Sequence, residues 1–167
     1  MAARELCDRN WYAARSHCGR EVGVRDRLSR LGVENFVPTE IRSKTRGGNY
    51  EKALIPCLVF LKATKEEACS LANTGMVPVK YVVDCATRSL LVVPDKEMED
   101  FRRVLDFSKE SGGLMEESLS LGDKVRVTKG VLCGVEGHVL EFRGKTYVVV
   151  GLLDCVFAKA EVPRAWL

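Results

Sequence analysis

The chain has 167 residues, 46% hydrophobic and 29% charged, with a formal net charge of +3. That balance excludes a disordered chain and fits one domain or two small ones. No run approaches the roughly 20 apolar residues of a membrane span, and the opening MAARELCDRN lacks the apolar core of a secretion signal.

In chain order, NWYAARS (10–16) reads as a short strand. A first helix is predicted over 19–31, where Val24, Leu28 and Leu31 form one apolar stripe and Gly32 stands as its terminating glycine. The strand ENFVP (34–38) leads into a polar, basic loop over 39–52. ALIPCLVFLKA (53–63) is the most hydrophobic strand, with Pro56 marking an edge, a bulge or a strand start. Thr64 and Glu67 have the spacing of a capping box, opening a second helix over 64–75. Strands follow at 79–84 and 89–93, then a third helix from Pro94 with Met98, Phe101 and Leu105 on its buried face. The order suggests an α+β sandwich, with helices against a largely antiparallel sheet.

SKESGGLMEES (108–118) has no periodicity and reads as a flexible linker. Beyond it only strand patterns remain: DKVRVT, GHVLEF, KTYVVVGLL and CVFAKAEV, with FRGKT as a hairpin turn. Four or five strands in about fifty residues suit a small closed barrel. This segment carries glycines at 122, 130, 134 and 137, expected to serve tight turns between strands. The boundaries are therefore an extension over 1–9, an α/β domain over 10–107, the linker, and a β domain over 119–167.

Seven cysteines (7, 18, 57, 69, 85, 133 and 155) are dispersed, with no CxxC pair. Such a set argues against a disulfide framework and fits a reducing cytoplasm. His17-Cys18 lacks two further ligands at zinc spacing, so neither metal nor cofactor is expected. Adjacent strand residues point to opposite faces, so that pair is also poorly placed as nucleophile and base, and no enzyme is expected. Residues 1–52 carry 11 Lys/Arg against 7 Asp/Glu, a basic excess that suits a phosphate backbone or an ordinary solvated face.

VTKGVLCGVEGHVLEF resembles the KOW motif of small SH3-like barrels, with Gly134 at its near-obligatory glycine and Gly130 and Gly137 supporting the turns. WYAARSHCGRE, VENFVPTE, a basic loop, LIPCLVF and VPDKEMEDF resemble the N-terminal (NGN) domain of the NusG family of transcription elongation factors in order and spacing. The resemblance covers about residues 10–167. Within the family, YVVD, VVPDKEMEDF and the absence of inserts look most like the specialised paralogues. The best likeness is to the UpxY group of capsule operons, with the RfaH group as the other candidate.

The resemblance implies a processivity and antitermination factor that binds the clamp helices of RNA polymerase and suppresses pausing on particular operons. The matching positions are Tyr12, Leu54, Ile55 and Leu58, with Phe60 assigned to the core. Each is either contact or core, and strand alternation separates Ile55 from the others unless Pro56 breaks it. A second implied surface faces upstream DNA and its non-template strand: His17, Arg20, Arg27, Arg30, Asn73 and Thr74. The three arginines recur at helical spacing away from the apolar stripe, and a helix N-terminus suits a phosphate. Arg42, Lys44 and Arg46 lie in a loop that in this family can be disordered until bound. The KOW domain is implied to recruit ribosomal protein NusE or Rho through Val131, Leu132 and Gly134, whereas Val156 and Phe157 suit the barrel core. A cytoplasmic monomer is expected. The alternatives are a housekeeping NusG, separable by its independence of leader signals, and a ribosome-associated KOW protein, which leaves the first domain without a role. In RfaH-type relatives the last domain can refold into a helical hairpin. The density of Val and turn glycines here predicts strands and no autoinhibition.

Overall fold

The computed structural model describes residues 9–108, 113–114, 122–153 and 156–167. The chain divides into two compact units, Met1–Pro94 and Asp95–Leu167.

The first unit contains β1 (Asn10–Arg15), α1 (Glu21–Arg30), β2 (Glu34–Phe36), β3 (Thr39–Ser43), β4 (Asn49–Ala53), β5 (Leu58–Ala63), α2 (Lys65–Asn73), β6 (Lys80–Tyr81) and β7 (Val92–Val93). Strand β1 is central, antiparallel to β5 on one side and to β6 and β7 on the other, and β2 pairs with β5. Its four consecutive buried residues, Trp11 to Ala14, fit a strand with both faces covered. Tyr12, Ala14, Val59 and Leu61 pack with Val24 and Leu28 of α1 and Ala68 and Leu71 of α2 in one core. Leu31, expected in the α1 stripe, caps the helix instead and is 41% exposed. The capping box forms as expected: Thr64 Oγ1 accepts the Glu67 N–H at 3.2 Å and Glu67 Oε2 accepts the Thr64 N–H at 3.0 Å.

Two expectations are corrected. The basic segment 39–52 is a β-hairpin rather than a loop, with Arg42 opposite Tyr50 and a turn closed by the Lys44 N–H on the Gly48 carbonyl at 2.8 Å. Its residues are mostly exposed, so no apolar alternation announced it. The hydrophobic run 53–63 is not one strand. It breaks at a turn over residues 54–57, because Pro56 cannot donate to a ladder and Cys57 takes φ 61°.

The second unit contains α3 (Asp95–Phe107), β8 (Gly113–Leu114), β9 (Lys124–Arg126), β10 (Glu136–Phe142), β11 (Lys145–Leu152), β12 (Val156–Glu161) and a 3₁₀ turn, Arg164–Trp166. The strands form an antiparallel sheet in the order β8-β12-β11-β10-β9. The C-terminal segment is thus strands, as its composition suggested. Met98, Phe101 and Leu105 are buried as predicted, with Val104 beside them. Helix α3 packs on β11 and β12 within the second compact unit. Periodicity identifies which face of a helix is buried but not what covers it. Gly113 and Leu114, read as linker, pair with Lys159 and Ala158. Residues 1–8 of the expected extension and 109–112 and 115–118 of the expected linker lie outside the described residues.

The glycines play two different parts. Gly130 and Gly134 have φ +75° and +87°, as turns require, and a Cβ on Gly130 would sit 2.4 Å from the Trp166 ring. Gly137 is in β10, not in a turn. A Cβ there would lie 2.5 Å from the Val149 carbonyl oxygen.

Candidate functional site

At the end of β1 the backbone leaves the sheet, and Arg15, Ser16 and His17 face Ala72 and Gly75 at the end of α2 and the segment Val77 to Lys80. Between them is an open cleft of about 390 Å³. Arg15 and Lys80 are cross-strand partners in the β1–β6 pair, so two cations line it beside the exposed imidazole of His17. Arg27 reaches from α1 to the Met76 carbonyl at 3.2 Å, beside the cleft. Asn73 and Thr74 are exposed at the end of α2, and the Thr74 hydroxyl donates to the Ser70 carbonyl at 2.7 Å. The fold therefore brings His17 to the end of α2, with Arg27 alongside. Arg20 and Arg30 are exposed on or beside α1 but do not line the cleft. Arg15 and Lys80 were missed by the sequence reading. Both lie at strand ends, and only the antiparallel register places them opposite each other.

The second cluster adjoins the first. Arg15 pairs across β1–β5 with Leu58, and the Ser16 N–H donates to the Cys57 carbonyl at 3.0 Å. Leu54 opens the turn and Leu58 follows it, both half-buried, and the Leu54 N–H donates to the Pro38 carbonyl at 2.8 Å. Tyr12 and Ile55, expected as contacts, are 4% and 6% exposed. The Tyr12 ring lies in the core, edge-on to Tyr81, which makes it framework. Phe60 is fully buried, as assigned.

Cys18, in the loop before α1, is bonded to Cys57 in a disulfide, with Cα atoms 4.5 Å apart. This corrects the expectation drawn from dispersed cysteines, because 39 positions of sequence separation hide a pair that the β1–β5 register brings together. Glu21, 3% exposed, accepts the Cys57 N–H at 2.7 Å. Burial pushes its carboxyl up, but backbone hydrogen bonds at Cys57, Glu21 and Gly19, with Lys52 nearby, outweigh burial and hold it below its ordinary range.

In the second unit the turn after β9 presents Val131, 71% exposed, whereas Leu132 is fully buried. Leu132 is therefore core, contrary to its expected partner role, because the turn folds its side chain inward. The turn is held by α3: Arg103 donates to the carbonyls of Val131 and Cys133 at 2.8 and 3.0 Å, and Lys96 to that of Gly134 at 3.0 Å. Asp100, buried, binds Lys96 and accepts the Glu136 N–H at 3.2 Å. Val156 and Phe157 are half-buried in β12.

An antiparallel sheet backed by helices, followed by a second antiparallel sheet, is a mixed α/β fold. Residues 9–102 match the family model described as "Transcription termination factor nusG". The chain belongs to the NusG family of transcription factors. The solved structure described as "Domain interaction in Thermotoga maritima NusG" is similar at 19% identity and a TM-score of 0.51, covering 96% of this chain and 96% of that chain. Two structures of the MjSpt4:Spt5 complex, conformations A and B, share 14% and 15% identity, with TM-scores of 0.31 and 0.30. They cover 91% and 92% of this chain and 97% of each of those chains, and are too distant to inform the fold. Comparison with curated proteins gives no match. Among the described residues, no helix is long and apolar enough to cross a membrane.

Proposed function

We propose that this protein is a specialised NusG-type antitermination factor of the UpxY kind. It binds the clamp helices of RNA polymerase and upstream DNA, and suppresses pausing and termination on particular long operons, with capsule operons as the best candidates. It acts in the cytoplasm as a monomer and is not an enzyme. The observation that carries the reading is the Arg15–Leu58 pair, which sets a half-buried leucine opposite a cation of the cleft. An apolar patch suits a helical hairpin, and the adjoining cations suit the phosphates of an exposed strand. Leu54 and Leu58 take the polymerase role. Arg15, His17, Arg27, Lys80, Asn73 and Thr74 take the DNA role, with Arg20 and Arg30 as outlying cations. The KOW-type turn, with Val131 at its tip and Gly134 in it, is the site for NusE or Rho.

The test is binding of the full chain to a reconstituted elongation complex with an exposed non-template strand. Leu54→Asp and Leu58→Asp should weaken binding to polymerase on any template. Lys80→Ala and His17→Ala should weaken binding only where the non-template strand is exposed. Action that requires a leader sequence marks a specialised factor, and action on every template marks a housekeeping one. Failure to bind cognate polymerase with its leader present would overturn the reading.

A further inference from the structure

Cys18 lies in the loop that carries His17 and Arg20, and Cys57 ends the turn that carries Leu54. The bond between them is thus the covalent tie between the two halves of the candidate surface. Cys18 is exposed and Cys57 half-buried, so a small thiol or disulfide can reach the sulfurs from solvent. The Cα separation of 4.5 Å lies within the range that a disulfide spans without backbone movement. The proposed function places the chain in a reducing compartment. Disulfides are rare there, and those that form are mostly transient and redox-sensing.

We infer that Cys18 and Cys57 form a reversible thiol–disulfide clasp that responds to low-molecular-weight disulfides and fixes the loop before α1 against the turn before β5. The reducing compartment and the regulatory role rest on the proposed function; the thiol–disulfide exchange itself does not. The Cys18 thiolate attacks one sulfur of a small disulfide RSSR, forming a mixed disulfide and releasing RS⁻. The Cys57 thiolate then attacks the Cys18 sulfur, forming the internal bond and releasing a second RS⁻. Two protein thiols are oxidised, one small disulfide is reduced to two thiols, and the two protons pass to the released thiolates. In the linked state Glu21 also accepts the Cys57 amide N–H, a bond that does not depend on the sulfurs. On reduction the loop loses its covalent anchor. Fixing both segments removes an ordering cost from binding, so the linked form should bind polymerase and DNA more tightly.

The test equilibrates the full chain with reduced and oxidised glutathione over a wide range of ratios, followed by acid quenching, alkylation and peptide mass spectrometry. The expected result is a single transition between free thiols and a Cys18–Cys57 linked peptide, while Cys69, Cys85 and Cys133 form no internal link. In Cys18→Ser, Cys57 should form only a glutathione adduct. Amide exchange at Ser16 and Cys57 should slow by roughly threefold or more in the linked form. Three results overturn the inference: thiols at every ratio, a link that survives excess dithiothreitol, or a reduced protein in which Cys18, Glu21 and Cys57 hold zinc and resist oxidation. Elongation-complex binding is then compared in the two states. Equal binding removes the regulatory role and leaves the clasp. Absence of binding in both states refutes the proposed function and leaves the redox result standing.

Discussion

Arg25 of α1 and Glu51 of β4 form a two-pronged ion pair, with Arg25 Nη2 at 2.9 Å from Glu51 Oε2 and Nη1 bonded to Oε1. The Thr39 hydroxyl donates to the same carboxylate at 2.6 Å, so the pair ties the β3–β4 hairpin to the first helix. The Arg25 hydrogen bond, with that from Thr39, lowers the Glu51 pKa to about 2 from an ordinary 4.5, and the guanidinium of Arg25 is correspondingly raised.

A depressed folded-state pKa gives stability that is complete above the unfolded value and lost as pH falls through the folded one. Stability from this pair should therefore fade between about pH 4.5 and 2. The two side chains are 27% and 31% exposed. Allowing for solvent screening, Glu51→Gln should lower unfolding free energy at pH 7 by about 1–2 kcal/mol. The difference should vanish near pH 2, as urea unfolding at several pH values would show.

The buried Tyr81 hydroxyl has no hydrogen-bond partner among the described residues, and burial, then Cys69 and Tyr12, push its pKa up to about 12. Tyr81→Phe should be neutral or stabilising by roughly 0.5–1 kcal/mol, since it removes an unsatisfied polar group at constant shape. Ultraviolet titration should show one phenol ionising near pH 12 that the variant lacks. A loss of more than about 1 kcal/mol would mean that the hydroxyl is bonded.

Gly137 and Gly134 separate two reasons for glycine. At Gly137 a methyl would meet the Val149 carbonyl and the side chains of Val148 and Val150 at 2.5 to 3.1 Å. Gly137→Ala should cost about 3 kcal/mol, because backbone oxygen cannot yield as a side chain can. Gly134 has open space but φ +87°, so Gly134→Ala should cost only about 1–2 kcal/mol. Thermal unfolding of the two variants would rank them.

Val131 and Leu132 are neighbours with opposite fates. Leu132→Ala should cost about 2–5 kcal/mol as a core truncation, and Val131→Ala should stay within about 0.5 kcal/mol. Denaturant unfolding tests both. The proposed partner site then predicts that Val131→Asp reduces NusE or Rho binding while leaving stability near that of the parent.

Local signals were legible wherever they are strong in a single segment: the capping box at Thr64 and Glu67, the α1 core residues Val24 and Leu28, the α3 stripe and the strands of the C-terminal half. The family was legible too, because it is written in the order and spacing of short motifs. The tertiary structure decided what depends on pairing between distant segments. Register set Arg15 against Leu58 and Lys80 and brought Cys18 to Cys57. The turn at Pro56 interrupted an apolar run whose composition alone read as one strand. Packing put Tyr12, Ile55 and Leu132 inside, while Val131 stayed out. Periodicity and capping act through a residue's own neighbours in the chain, so they can be read from one segment. Burial and partnership are properties of whatever the fold brings alongside.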